Sequence, residues 1–131
     1  MKTKLVLTIF LLAAAIVCST LPAFSAEEPK PYVADPAAKE VTISVKADNY
    51  AFDPNDITVY EGQKIILNIT AVDKKHGFKL NGYDVNVTVV PGEITTVTFI
   101  ADKTGEFPFK CSVFCGTGHF GMKGVLKVIK P

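Results

Sequence analysis

Apolar side chains at every second position, in short runs broken by turn residues, constrain this chain more than any other feature. Val41, Ile43 and Val45 alternate with Thr42, Ser44 and Lys46. The stretches Ile57 to Tyr60, Lys64 to Thr70, Asp84 to Val90, Ile94 to Ala101 and Val125 to Ile129 repeat that alternation or form short apolar runs. A period of two sends successive side chains to opposite faces of a strand, so each run can bury one face and wet the other. Asp53-Pro54-Asn55, Glu61-Gly62, Asn81-Gly82, Pro91-Gly92 and Thr104-Gly105 fall between the runs as turns. No window of useful length carries the 3.6-residue period of an amphipathic helix. Many short strands separated by turns predict an all-β chain, an antiparallel sandwich with Greek-key connections.

The rest of the chain frames that domain. Lys2 and Lys4, the apolar run Leu5 to Val17 and the small-x-small triplet Ala23-Phe24-Ser25 form an export leader over residues 1–25, with cleavage after Ser25 or Ala26. An uncleaved anchor is the competing reading, and Leu5 to Leu21 is a little short of the roughly 20 residues that span a bilayer. Residues 26–39 are rich in Pro and Ala without a period and read as an extended tether, so the folded domain is expected over 40–131. Beyond the leader, 12 of the 14 lysines face all 13 acids, a net charge of −1, and there is no arginine. Nucleic-acid binding needs a basic stripe, and this balance excludes it.

The chemistry gathers near the C-terminus. Outside residues 1–25 the only cysteines are Cys111 and Cys115, the only histidines His76 and His119, and the only methionine Met122. Four of these five lie within twelve consecutive residues, and soft thiolate, thioether and imidazole donors select copper over magnesium or calcium. Glu106 to Lys110 should be a strand ending at Cys111, followed by a ligand loop over 112–121. Its glycines, Gly116, Gly118 and Gly121, together with Gly124, permit tight turning. His76 is expected on a separate loop at the same end of the sandwich, where loops converge. His76, Cys115, His119 and Met122 already complete a mononuclear blue-copper site. Cys111 is then one thiolate too many. Two thiolates can instead bridge two coppers, with His76 and His119 each terminating one ion, Met122 weakly on one and the Val113 carbonyl on the other.

Cys111-x3-Cys115-x3-His119-x2-Met122 with an upstream His76-Gly77-Phe78 resembles the dinuclear copper A domain of cytochrome c oxidase subunit II, above all the ba3-type subunit. The likeness extends through Phe52-Asp53-Pro54, the segment Asn86 to Glu93, and Gly105-Glu106-Phe107. What the resemblance implies is a cupredoxin fold and a copper A centre on His76, Cys111, Val113, Cys115, His119 and Met122. It also implies electron passage from a c-type cytochrome or other small redox protein toward a haem-copper oxidase or other reductase, in the periplasm. Three departures point to a freestanding relative. Val113 stands where many members carry an acidic residue, tryptophan is absent, and the leader looks cleavable where the family is ordinarily anchored.

Other readings compete. A Cys111–Cys115 disulfide suits an exported chain, but it leaves His119 and Met122 at ligand spacing without a reason. A periplasmic copper chaperone would use the same donors for delivery. Thiol-disulfide exchange calls for cysteines early in an α/β domain, which this chain lacks. No Ser-His-Asp set and no Gly-rich phosphate loop accompany the cluster, which excludes hydrolysis and nucleotide chemistry for the chain alone. Phe107, Phe109, Phe114 and Phe120 are expected to shield the metal from water, and the lysines at 74, 75, 79 and 123 to surround it and disfavour a strongly basic partner.

Overall fold

The structure, a computed structural model, describes residues 27–131; the expected leader, over 1–25, lies outside the described residues. Ten strands form two sheets: β1 Tyr32–Val33, β2 Glu40–Asp48, β3 Ala51–Asp53, β4 Asp56–Tyr60, β5 Lys64–Ala71, β6 His76–Leu80, β7 Val85–Val89, β8 Ile94–Ile100, β9 Gly105–Lys110 and β10 Lys123–Ile129. One sheet runs β1-β4-β10-β9-β6-β7 and the other β3-β2-β5-β8. The alternation seen in sequence becomes alternation of burial. Val41, Ile43, Val45 and Ala47 of β2 point inward, as do Ile65, Leu67, Ile69 and Ala71 of β5 beside them. Between the sheets, Phe52, Phe78 and Phe109 pack ring to ring with centroids 5.0–5.6 Å apart.

The expected sandwich is present, but it is not purely antiparallel. β2 pairs with β5 in parallel from Glu40↔Lys64 to Ala47↔Ala71, and β4 pairs in parallel with both β10 and β1. These partners are far apart in sequence, and a period of two carries no information about strand direction. One consequence is positional. The ends of β5 and β9 and the starts of β6 and β10 meet at one pole, where the candidate site lies.

Of residues 26–39, expected to be a tether outside the domain, the described part docks to it from Tyr32 onward. Tyr32 and Val33 pair with Ile57 and Thr58, the Ala34 N–H donates to Thr58 O at 2.9 Å, and Ala34 is buried. Gln63 fastens the stretch. Its side-chain amide donates to Asp35 O and Ala38 O, both at 2.8 Å, while its Oε1 accepts from the Tyr60 N–H at 2.8 Å. Because β1 runs parallel to β4, the chain enters this strand from the site pole. Glu27, Glu28 and Lys30 accordingly share a shallow cleft with Lys46 and Asp53, and Pro131 lies at the far pole beside Pro36 and Gln63.

Candidate metal centre

The donors come from three places that the sheets hold fixed. His76 opens β6 rather than sitting on a loop, and its side chain faces inward like those of Phe78 and Leu80 on the same strand. Cys111 follows the last residue of β9, and Met122 precedes the first of β10. The Cys111 N–H donates to Met122 O at 3.0 Å, so the last backbone bond between these strands clasps the loop at its base. Within the loop a single 3-10 turn, His119–Gly121, returns the chain toward β10.

All five side chains converge. Cys111 Sγ and Cys115 Sγ lie 3.5 Å apart, and both cysteines are free. A disulfide requires about 2.05 Å. From Cys115 Sγ, His119 Nδ1 is 3.7 Å away and Met122 Sδ 3.9 Å; the Val113 carbonyl oxygen lies 3.0 Å from Cys111 Sγ. A ring nitrogen of His76 and the two cysteine sulfurs fall within 4.8 Å of one another. Cys111, Cys115, Met122 and His76 are buried, and His119 is half-buried.

Two features of this pocket call for a cation. The His76 ring is wholly buried, its Nε2 is held by Asp73 Oδ1 at 2.7 Å, and its Nδ1 has no hydrogen-bond partner. A buried imidazole nitrogen without a partner is costly unless something accepts its lone pair. A carboxylate on the other ring nitrogen is the usual arrangement behind a ligating histidine, because it fixes the tautomer. Second, burial, and after it the hydrogen bond and charge of Cys111, push the Cys115 thiol up to about 11 from an ordinary 9.0. A Cys115 thiol so placed stays protonated near neutrality until a metal displaces the proton. At Asp73, burial alone would raise the carboxyl pKa. The hydrogen bond with His76 and the backbone N–H groups of Lys74 and of Asp73 itself outweigh it and hold the group below its ordinary range.

The backbone is shaped to admit this loop. A side chain on Gly77 would strike Ser112 and the Val113 N–H, so only glycine lets the loop lie against β6, with the Gly77 N–H aimed at Cys111 Sγ from 3.4 Å. Tyr50, held at φ 74°, turns its ring against Gly116 and Gly118, where any Cβ would collide with it. Lys74 Nζ caps that ring at 5.1 Å from its centroid. From sequence, Asp73 and Tyr50 are missed, and Gly77 stands only as part of the His76-Gly77-Phe78 motif. Asp73 carries no signal of its own in the sequence, because only the bend after β5 brings its carboxylate onto His76 Nε2.

The aromatic expectation divides. Phe109 is buried beneath the site, whereas Phe107 packs at the opposite pole with Tyr83, centroids 4.9 Å apart. Phe114 and Phe120 are 72% and 86% exposed. They shield nothing from solvent and instead flank the His119 ring, with centroids 5.5 and 5.2 Å from it.

A two-sheet sandwich with one cysteine-rich loop at a pole is a defined class, and this chain belongs to the cupredoxin-like domain family, whose sequence pattern matches residues 8–128. Within that class it is similar to cytochrome c oxidase subunit 2 of Thermus thermophilus, 36% identical over 101 residues that cover 77% of this chain and 75% of the relative. It is also similar to nitrous-oxide reductase of Cupriavidus necator, 35% identical over 89 residues, 65% of this chain but 14% of that protein. The crystal structure of the periplasmic domain of cytochrome oxidase subunit II from Bradyrhizobium japonicum superposes with a TM-score of 0.63 at 23% identity, covering 68% of this chain and 83% of that one. This last likeness is one of fold.

Proposed function

We propose that this chain is an exported electron-transfer protein that holds two copper ions in a copper A-type centre. The observation that carries the proposal is the second buried cysteine at 3.5 Å from the first, free and accompanied by a buried histidine nitrogen with no partner. In this reading Cys111, Cys115, His76 and His119 would hold the two ions, with the Met122 thioether and the Val113 carbonyl as weaker donors. A copper pair held there would supply one-electron transfer with little rearrangement of its donors. The protein's part is rigidity. The clasp from Cys111 to Met122, the Asp73 carboxylate behind His76 and the Tyr50 ring under Gly116 and Gly118 hold the donors in place in either state.

Similarity to an oxidase subunit and to a reductase supports the partners: a c-type cytochrome or other small redox protein as donor, and a haem-copper oxidase or another reductase as acceptor. The leader supports placement in the periplasm. Among the described residues no helix is long and apolar enough to cross a membrane. A retained leader is the route by which this reading would attach the chain to a membrane.

Copper loading tests the proposal. The purified chain should bind two ions, and in the half-oxidised form its electron-spin signal should be split by two copper nuclei. One ion and splitting by a single nucleus would give the blue-copper alternative. Transfer of copper to a metal-free oxidase domain, without electron exchange with a cytochrome, would give the chaperone.

A further inference from the structure

Three lysines stand in one row on the outer face of the six-stranded sheet. Lys79 of β6 is the register partner of Lys110 of β9, and Lys110 is the register partner of Lys123 of β10. Directly opposed residues share a face, and all three are exposed. Among the described residues none of them makes an ion pair. Like charges directly opposed across strands cost stability. The same face handles another lysine differently. Toward the far pole, Lys127 lies opposite Glu106 and bonds Asp56 Oδ2 at 2.8 Å.

The uncompensated row is at the pole that carries the site. Lys110 immediately precedes Cys111, Lys123 immediately follows Met122, and Lys79 lies three residues beyond His76. Lys75, next to His76, is also exposed and unpaired among the described residues. The chain beyond the leader carries a net charge of −1 by the same count of 12 lysines against 13 acids. This concentration is therefore a matter of placement and not of a basic chain.

We infer that the row Lys79–Lys110–Lys123 is the docking surface for the acidic face of the redox partner protein. The inference rests on the electron-transfer reading and extends it by giving the sign of the partner's charge. A cluster of one sign beside a redox site raises the rate of encounter with the opposite sign and disfavours the same sign. Three lysines without arginine are too few for a phosphate-backbone footprint.

The test uses the full chain, copper-free and copper-loaded. Titration with hexacyanochromate(III), a redox-inert paramagnetic trianion, should broaden the backbone amide signals of residues 79, 110 and 123 first. The effect should vanish when Lys79→Glu, Lys110→Glu and Lys123→Glu are combined, and persist in Lys39→Glu at the other pole. In stopped flow, one electron passes from ferrous haem to the oxidised site. Succinylated cytochrome c, made acidic, should react roughly tenfold slower with the triple variant than with the unaltered protein at low salt. Native basic cytochrome c should react faster with that variant, with the visible and spin spectra of the copper unchanged. Broadening spread evenly over the surface lysines would overturn the inference. So would rates indifferent to the substitutions, or a row whose loss abolishes only co-sedimentation with phosphatidylglycerol vesicles. A chain that fails to load copper sinks the electron-transfer reading instead, and the copper-free titration still decides the surface.

Discussion

At the scale of single residues, the site is defined by one cysteine and one aspartate. On the proposed reading Cys111 separates a dinuclear from a mononuclear centre, because His76, Cys115, His119 and Met122 would suffice for one copper without it. Cys111→Ser should still bind copper, but one ion, with a spin signal split by a single nucleus; retention of two ions would refute the bridging role. Asp73 acts through His76, whose Nε2 it holds at 2.7 Å. Removing such a carboxylate typically costs ten- to a hundredfold in metal affinity. Asp73→Ala should weaken copper binding by about that factor in a competition with a chelator, whereas Asp73→Asn, which keeps an acceptor, should lose less. The candidate donors stand out because, beyond the leader, the sequence offers so few soft or imidazole side chains, four of the five within twelve residues. Asp73 does not, because an acid near a lysine pair reads as solvated surface until the turn brings it onto the ring.

At the scale of elements, the sequence revealed most strands and hid how they connect. Alternation located β2, β5, β8 and β10, whose less exposed residues fall at every second position. β6 was hidden because Gly77 interrupts its outer face. Its inward residues His76, Phe78 and Leu80 nevertheless keep the period. β1 was hidden because two residues cannot display a period, and what docks them is a long-range contact. Gln63 makes that contact with two short hydrogen bonds, to Asp35 O and Ala38 O, while a third from the Tyr60 N–H fixes its own side chain, which is 4% exposed. Losing these part-buried hydrogen bonds, each worth about 0.5–1.5 kcal/mol, costs about 1–3 kcal/mol in all. Gln63→Ala should lower the unfolding free energy by about that much in urea titration. It should also expose residues 32–38 to hydrogen exchange ahead of β2. Unchanged exchange there would mean that the strand pairing alone holds the segment.

At the scale of the whole molecule, the metal-free protein carries a pH signature set by its site. Burial and the neighbouring Cys111 raise the Cys115 thiol to about 11 against an ordinary 9.0, so the folded state holds that proton more tightly than the unfolded chain. The associated stability is complete below pH 9.0 and is lost as pH rises toward 11. Thermal melts of copper-free protein should fall across that window more steeply than those of Cys115→Ser. Copper-loaded protein, whose sulfurs have already given up their protons, should lack this component. Parallel slopes for the three would remove Cys115 from the pH dependence.

The parallel course of β1, β4 and β10 also sets how the molecule can be mounted. The described chain begins beside Lys46 and Asp53, toward the pole of the metal loop, and ends with Pro131 at the other. Fixed to an electrode through its C-terminus, the protein would hold the loop outward, free to meet a partner in solution. Fixed through its N-terminal side, it would bring the loop toward the conducting surface. The same strand order thus makes the two ends of one small chain into opposite electrical contacts.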